Sequence, residues 1–392
     1  MIGGALYLAL RHALSSRAVS LILVFCFATA AALPLSASML MAQYDHSLRA
    51  RAQATPLVGG ARGSRFDLVL ATTHFRLADV VPTTMGFAHR VQELGLGTAI
   101  PMSVAHTARG HVVVGTGVEY EQLRRFRYRA GGWPVTLGEC VLGADVARAE
   151  GLGVGDVIFS DQEDLYDISK APAIRLHIVG VLEPTGTPDD GVLFVDITTA
   201  WLLDGIVHGH ESAAQVAARD PTKVLGKAGA DTAISGALIE YQEVTPGDLS
   251  SYHFHMEPDA LPLTSVLIVP RDQKSATILA TELNLSRTEQ AVVPTKVMDE
   301  LLAYVVRIKS VIDGISAALI ATNLLLAVLI LLLSYRARER ERRTMTRIGC
   351  SRWTIPVMFG AEFGGLVLIG FVVAMGVAAG LRAVAPELIG ML

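Results

Sequence analysis

Two histidine pairs are the residues of this sequence whose types and spacing best suit metal chemistry. His208 and His210 flank a glycine, and His253 and His255 flank a phenylalanine. On a strand, residues two apart point to the same face, so each pair could offer two imidazoles to one ion. With a neighbouring glutamate they would complete a site for a borderline-soft metal such as zinc. The alternative is four solvated histidines in a polar insertion, so zinc remains a hypothesis.

Catalytic signatures are missing from the sequence. Lys227 is followed by alanine and Pro221 stands where the first glycine is required, which excludes a Walker A motif. No Gly-x-Ser-x-Gly, His-Glu-x-x-His or Cys-x-x-Cys is present. Gly151, Gly153 and Gly155 follow a helical pattern and precede a strand, which predicts a tight turn rather than a dinucleotide site. We therefore predict that this chain is not an enzyme and that any ATP hydrolysis that serves it belongs to another subunit.

The composition indicates a chain that is part membrane helix and part water-soluble domain. Of 392 residues, 51% are hydrophobic and 18% are charged, whereas a soluble domain carries about a quarter charged residues. The apolar content excludes disorder, and a net charge of -4 argues against a nucleic-acid partner.

Three long apolar runs predict three membrane helices, because about 20 apolar residues cross the hydrocarbon core of a bilayer. The predicted spans are 18–43, 314–335 and 354–382. A cleaved signal peptide is the alternative for the first run. That run is longer than the usual apolar region of about 7–15 residues, and no clear cleavage site follows it.

The basic loops predict the orientation. The N-terminal arm, residues 1–17, carries Arg11 and Arg17, and the loop 336–353 has seven arginines against two glutamates. Both are predicted to be cytoplasmic by the positive-inside rule. The protein would then lie in the cell (inner) membrane. Two segments would be on its extracytoplasmic side: residues 44–308 and the end of the chain, 383–392. The three cysteines, Cys26, Cys140 and Cys350, fall in different compartments and predict no disulfide.

The external segment 44–308 is predicted to be an α+β domain. Short β-branched runs predict strands at 66–71 (FDLVLA), 111–117, 174–182, 192–197 and 265–270, and helical patterns cover 142–152 and 275–286. A polar insertion, residues 206–256, contains both histidine pairs.

The segment 296–313 is predicted to be a stalk helix that continues into the second span. Its apolar residues are spaced alternately four and three apart, which is a coiled-coil seam. The seam consists of Val297, Leu301, Tyr304, Ile308 and Val311. It could pack on a continuation of the first helix, at Tyr44 and Leu48, or on a second copy of the chain.

The arginine-rich loop is predicted to contain a short helix. Met345 and Ile348 follow the arginines, and Trp353 precedes the next apolar run. Gly349 is expected to end the helix, because glycine favours the conformation that follows a helix C-terminus. Such a helix could dock in a groove of a cytoplasmic partner. Alternatively, the arginines could only set topology and contact lipid headgroups. Glu362 would either pair with these arginines or serve transport or proton chemistry.

The stretch 341–380 resembles the permease domain of the FtsX/MacB family. The matching positions are Glu341, Met345, Gly349, Cys350, Ser351, Arg352 and Glu362. In the external domain, Val141–Phe159 and Ile178–Phe194 resemble the periplasmic core domain of that family. Leu57–Leu70 is similar to a branch in which a glycine-rich motif precedes the first strand. Family members normally have a fourth membrane helix, whereas three are predicted here.

The resemblance implies a dimeric permease subunit of an ABC transporter, worked by a separate cytoplasmic ATPase that binds ATP and Mg²⁺. Coupling to that ATPase would fall to Arg338, Glu341, Met345, Arg347, Ile348, Gly349 and Arg352. Other implied partners are membrane lipid and a periplasmic adaptor, lipoprotein or substrate-binding protein. Two alternatives stay open: a transducer that regulates an external partner without transport, and a zinc-handling transport module.

Overall fold

The computed structural model describes residues 2–161, 173–209, 224–228, 231–234, 243–245, 247–254, 256–337, 339–349 and 353–389. The chain separates into two compact units. A helical unit comprises Met1–Leu48 and Glu300–Leu392, and an α+β unit comprises Arg49–Asp299.

The helices of the described residues are α1 (Ile2–Ser15), α2 (Arg17–Gln53), α3 (Arg65–His74), α4 (Met85–Glu93), α5 (Val118–Arg124), α6 (Ala144–Glu150), α7 (Ile197–Leu203), α8 (Gln273–Asn284), α9 (Pro294–Ala337), α10 (Glu339–Arg347) and α11 (Thr354–Ile389). The strands are β1 (Leu57–Ala61), β2 (Thr83–Thr84), β3 (Gly97–Ala108), β4 (His111–Thr116), β5 (Tyr128–Gly131), β6 (Glu139–Leu142), β7 (Val157–Phe159), β8 (Arg175–Leu182), β9 (Val192–Asp196), β10 (Val207–Gly209), β11 (Val224–Ala228), β12 (Asp231–Ile234), β13 (Tyr252–Phe254), β14 (Pro262–Leu263), β15 (Ser265–Pro270) and β16 (Glu289–Val292).

Among the described residues, three helices are long and apolar enough to cross a membrane, as the three apolar runs predict. The qualifying segments are Arg17–Ala42 in α2, Pro294–Ala337 in α9 and Pro356–Arg382 in α11. The single helix α9 contains both the predicted stalk and the second predicted span. Helix α11 continues to Ile389, so the described part of the predicted external C-terminus is helical.

The three long helices pack together through a small apolar cluster in the helical unit. Leu23 of α2, Ala327 of α9 and Leu366 of α11 are each at most 6% exposed. The rings of Phe27 and Phe363 meet edge to face with their centroids 5.5 Å apart, a favoured aromatic geometry. Elsewhere these helices expose many large apolar side chains, which a soluble monomer rarely does.

The α+β unit is organised by one mixed sheet. Its strand order is β16-β1-β15-β3-β4-β9-β6-β8-β5, and β7 also pairs with β8. The pairs β4–β9 and β6–β8 are parallel, whereas the other neighbours in this sheet are antiparallel. The predicted α+β class is therefore confirmed.

Alternating strand residues build a core on each face of this sheet. On one face, α4, α6, α7 and α8 contribute Phe87, Val146, Trp201 and Leu279. On the other face, an aromatic cluster forms around Phe194. The second cluster includes Phe75, Tyr120, Phe126 and Trp133. The C-terminal end of α2 contacts this aromatic cluster, as described below.

The predicted strand at 66–71 is wrong, because these residues belong to α3. Ser64 accepts a hydrogen bond from the backbone N–H of Asp67 and caps the helix at its start. A short apolar run does not distinguish a buried strand from a buried helix, and here the cap decides. The first strand is instead β1, so the glycine-rich motif lies in and after that strand rather than before it. The other four predicted strands and both predicted helices are confirmed.

Candidate functional site

Helix α10 lies within the predicted coupling loop. Ile348 is 76% exposed, and Gly349 has a φ of +88°, a conformation that favours glycine and ends helices. Arg347 is the last residue of α10 and is exposed. Glu341 and Met345 belong to the helix, whereas Arg338 and Arg352 lie outside the described residues.

The predicted stalk seam is buried only at its beginning. Val297 is 2% exposed and Leu301 is half-buried. Tyr304, Ile308 and Val311 are 62%, 62% and 60% exposed. These three side chains are largely exposed among the described residues, and packing of the seam on the first helix stays a prediction. The alternative partner, a second copy, stays a prediction.

The structure brings two of the four predicted metal-binding histidines together. His208 and His253 are directly opposed on the antiparallel strands β10 and β13, and their ring centroids are 5.0 Å apart. Nδ1 of His253 lies 2.9 Å from the carbonyl oxygen of Ser251. His210 and His255 lie outside the described residues. Among the described residues, no three His, Cys, Asp or Glu side chains are grouped to hold a metal.

A buried charge network at the C-terminal end of α2 was not anticipated from the sequence. Arg51, in the last turn of α2, is 5% exposed, and Asp189 is 1% exposed. Nη1 and Nη2 of Arg51 donate to the two carboxylate oxygens of Asp189 at 2.7 and 2.8 Å. The pair is bidentate, the strongest geometry for an arginine and a carboxylate.

The surrounding groups satisfy the remaining hydrogen-bonding capacity of this pair. Arg51 also donates to the hydroxyl of Tyr120 at 2.6 Å and to the carbonyl oxygen of Thr73 at 2.9 Å. The hydroxyls of Tyr120 and Thr187 donate to Asp189 at 2.8 and 2.6 Å. A buried ion pair is tolerated when its polar atoms are satisfied in this way.

The same environment shifts the pKa values of the groups in the network. Burial opposes the charge on Asp189, but the Arg51 guanidinium and the hydroxyls of Thr187 and Tyr120 together outweigh that effect and hold the pKa of this carboxyl below its usual range. Burial raises the pKa of Tyr120 to about 12, with a further contribution from Asp189. Burial lowers the pKa of His74 to about 4, and the charge of Arg51 adds to that effect. At neutral pH the network therefore contains one guanidinium, one carboxylate, a neutral phenol and a neutral imidazole.

A second arginine closes the end of α2. Arg124 donates to the carbonyl oxygen of Ala54 and to the hydroxyl of Thr55, both at 3.0 Å. The last carbonyl groups of a helix lack partners within it, and a cation there also complements the helix dipole. The C-terminal end of α2 is thus held by two arginines, one from the helix and one from α5.

The first turns of α9 meet the last turns of α2 at the surface of the α+β unit. Nη1 of Arg49 lies 2.5 Å from a carboxylate oxygen of Asp299, and the two side chains are 45% and 59% exposed. An exposed ion pair contributes little to stability. This contact therefore marks where the two helices meet but adds little to the free energy of folding. The sequence signal for the whole arrangement is weak: it consists of two arginines, Arg49 and Arg51, near the end of a helix that begins with an apolar span.

No family model matches this chain, and no curated protein matches it. Among solved structures, the periplasmic region of MacB from Actinobacillus actinomycetemcomitans is similar, with 9% sequence identity and a TM-score of 0.34. The match covers 65% of this chain and 97% of that one.

Proposed function

We propose that this chain is the membrane-embedded permease subunit of an ABC-type transporter, powered by a separate cytoplasmic ATPase. The proposal starts from the FtsX/MacB-like motif of residues 341–380 and from three helices suited to a membrane. The chain would transmit conformational change from the ATPase to its α+β unit, outside the cytoplasm. A substrate would be moved or extruded there, without chemistry in this chain.

The buried pair of Arg51 and Asp189 is the observation that carries the proposal. A membrane helix can transmit motion to a domain only if its end cannot slip relative to the domain core. Arg51 lies at the end of the helix that contains the first apolar span, and its partner lies in the interior of the α+β unit. Breaking such a pair would strand a buried charge, so displacement of α2 would be passed to the sheet.

Helix α10 is the proposed receiver of the ATPase motion. It joins α9 to α11 in the sequence, and its arginines and exposed Ile348 suit an acidic groove with an apolar floor. The seam residues Tyr304, Ile308 and Val311 would meet those of a second copy, as expected of a dimeric permease. The N-terminus and α10 would lie on the cytoplasmic side of the inner membrane.

Co-purification tests the coupling assignment. The tagged full-length chain would be isolated from native membranes, and we expect an ABC ATPase to accompany it. Gly349→Ala forces a side chain into a left-handed conformation, which costs about 1–2 kcal/mol, and Arg347→Ala removes an exposed charge. Both changes together should reduce recovery of the ATPase by at least about tenfold, equivalent to about 1.4 kcal/mol.

The matched control is Gly360→Ala in α11, where an added Cβ meets no atom within 4 Å. This variant should retain the ATPase at the wild-type level. Full recovery with Arg347→Ala and Gly349→Ala combined would refute α10 as the coupling element. Absence of any ABC ATPase from the wild-type preparation would refute the proposed function itself.

A zinc-handling module is the second candidate, and the approach of His208 to His253 favours it. Zinc bound per full-length chain would be measured for His208→Ala and His253→Ala. Loss of one equivalent in both variants would support this candidate. His89→Ala is the control, since His89 is 47% exposed and pairs with Asp259 instead. Unchanged zinc in all three variants would reject the candidate.

A further inference from the structure

The α+β unit has an open cleft beside the sheet that the transmission of motion does not use. Its volume is about 530 Å³, within the range of about 300–1,000 Å³ that is typical of small-molecule sites. Four segments line it: the loop 77–82, the middle of β3 at 103–105, Asp204 after α7, and 262–264 around β14.

The walls of the cleft are fixed by hydrogen bonds. The backbone N–H of Val80 donates to the carbonyl oxygen of Ala78 at 2.8 Å, which forms a tight turn centred on Asp79. The backbone N–H of Val104 donates to the hydroxyl of Thr264 at 2.8 Å. The indole N–H of Trp201 donates to the carbonyl oxygen of Pro262 at 2.8 Å and ties α7 to β14. The cleft is therefore preformed.

A register shift in the sheet lies beside the cleft, at the lining residue Val104. The pairing of β3 with β4 shifts between Val104 and His106, and such irregularities re-aim side chains near binding sites. Ser103 lines the cleft and is 4% exposed. Its hydroxyl makes no hydrogen bond to any described residue, so it is available to a ligand that enters the cleft.

The lining combines apolar side chains with carboxylates. Leu77, Val80 and Leu263 supply apolar surface, and Asp79 and Asp204 supply negative charge. No lysine or arginine lines the cleft within the described part of the chain. Nε2 of His106 lies 2.7 Å from Asp204, whereas Asp79 makes no ion pair with a described residue. The unmatched charge at the rim is therefore that of Asp79.

We propose that this cleft binds a small apolar molecule that carries a protonated amine. The apolar part would lie against Leu77, Val80 and Leu263, while the ammonium group would face Asp79. The hydroxyl of Ser103 could accept a hydrogen bond from the same ligand. This site does not depend on coupling to an ATPase, and it would exist in a transporter or in a transducer.

Three probes of similar shape distinguish the effect of charge on affinity from that of apolar contact. They are 4-phenylbutylamine, 4-phenylbutanol and 4-phenylbutyrate. Ligand-observed NMR titrations would use the full-length chain in lipid nanodiscs. The amine should bind about tenfold more tightly than the alcohol, and the carboxylate should bind most weakly. Asp79→Asn should reduce the affinity for the amine about fivefold to tenfold and leave the affinity for the alcohol unchanged.

Two further variants make the result decisive. Ala105→Trp fills the cleft from an exposed position and should abolish binding of amine and alcohol, which separates the cleft from partition into lipid. Asp145→Asn removes an exposed carboxylate elsewhere and should change nothing. Equal affinities for the three probes would overturn the proposal. So would an amine affinity that Asp79→Asn and Asp145→Asn leave equally unchanged, or binding that survives Ala105→Trp.

Discussion

Arg51 and Asp189 form a bidentate ion pair in the interior of the α+β unit, although 138 residues separate them in sequence. Two residues earlier on the same helix, Arg49 pairs with Asp299 at the surface. The two arginines therefore lie within one turn of the same helix, but Arg51 is buried and Arg49 is exposed. Burying the first pair costs desolvation energy, and loss of either partner would leave the other charge buried and unpaired. The attraction within the exposed pair is weakened by the surrounding water.

Arg51→Met should destabilise the α+β unit strongly, because it leaves the Asp189 carboxylate buried without its cation. We expect a loss of about 3–5 kcal/mol in the free energy of unfolding. Urea unfolding of the full-length chain, followed by tryptophan fluorescence, would measure it, since Trp133 and Trp201 lie in this unit.

Arg49→Met is the matched control, and it should change the free energy of unfolding by less than about 1 kcal/mol. The double variant with Arg51→Met and Asp189→Leu should recover part of the loss, because no charge is then stranded. Equal effects of the two single arginine variants would contradict the role given to the buried pair.

The stability of the α+β unit should fall as the pH falls from 6.5 towards 4, and His74 should be a main cause. Its pKa is lowered to about 4 in the folded chain, chiefly by burial. Between these values the unfolded chain binds a proton that the folded chain does not, so stability rises with pH. The expected contribution is about 2–3 kcal/mol.

The pH dependence of urea unfolding would measure this contribution. His74→Gln should flatten the profile between pH 4 and 6.5 by that amount. Asp189 has its own window: its pKa is lowered, so its contribution is lost only below its ordinary value of 3.8. A profile that His74→Gln does not alter would show that another group controls acid stability.

Local patterns predicted four strands of the central sheet and two helices of the α+β unit. The strands at 111–117, 174–182, 192–197 and 265–270 are β-branched runs between turn residues, and each forms in the sheet. The run at 66–71 is also largely apolar, but it follows Ser64, whose side chain caps a helix. Periodicity alone does not distinguish the two outcomes, because a short and largely apolar run fits both a buried helix and a buried strand.

The sites depend on distant contacts and were less predictable. The glycine stop after α10 is a local signal, and Gly349 has the left-handed conformation that it predicts. The pairing of Arg51 with Asp189 and the joining of Asp79 and Ser103 in one cleft arise only when distant segments meet on the sheet. No spacing in the sequence contains that information, which is why both were found in the structure alone.

The exposed seam of α9 should join two copies of the chain. Ile308→Cys should form intermolecular disulfide dimers on mild oxidation in native membranes, because equivalent residues of a parallel seam face each other. Val306→Cys is the control: it is also exposed, at 55%, but lies on the opposite side of the helix. Gel electrophoresis without reductant would measure the dimer fraction. Equal cross-linking at both positions would indicate random collision rather than a seam.

Gly370 should be intolerant of any side chain, because α11 passes close to the backbone of α2 there. An added Cβ would lie 2.7 Å from Cβ of Phe27 and 3.1 Å from the carbonyl oxygen of Val24. Backbone atoms cannot rotate away, so Gly370→Ala should cost about 1–3 kcal/mol and separate the two helices. Cys26, next to Phe27 on α2, would report this as faster maleimide labelling in detergent, in a Cys350→Ser background.

Gly364→Ala on the same helix provides the comparison, since its added Cβ meets no atom within 4 Å. This change should leave Cys26 labelling unaltered, and it should even favour the helix, because alanine exceeds glycine in helix propensity by about 1 kcal/mol. Cys140 is fully buried and should contribute no signal. If both alanine variants label at the wild-type rate, α2 and α11 do not pack at Gly370, and the close contact that sets their spacing is wrong.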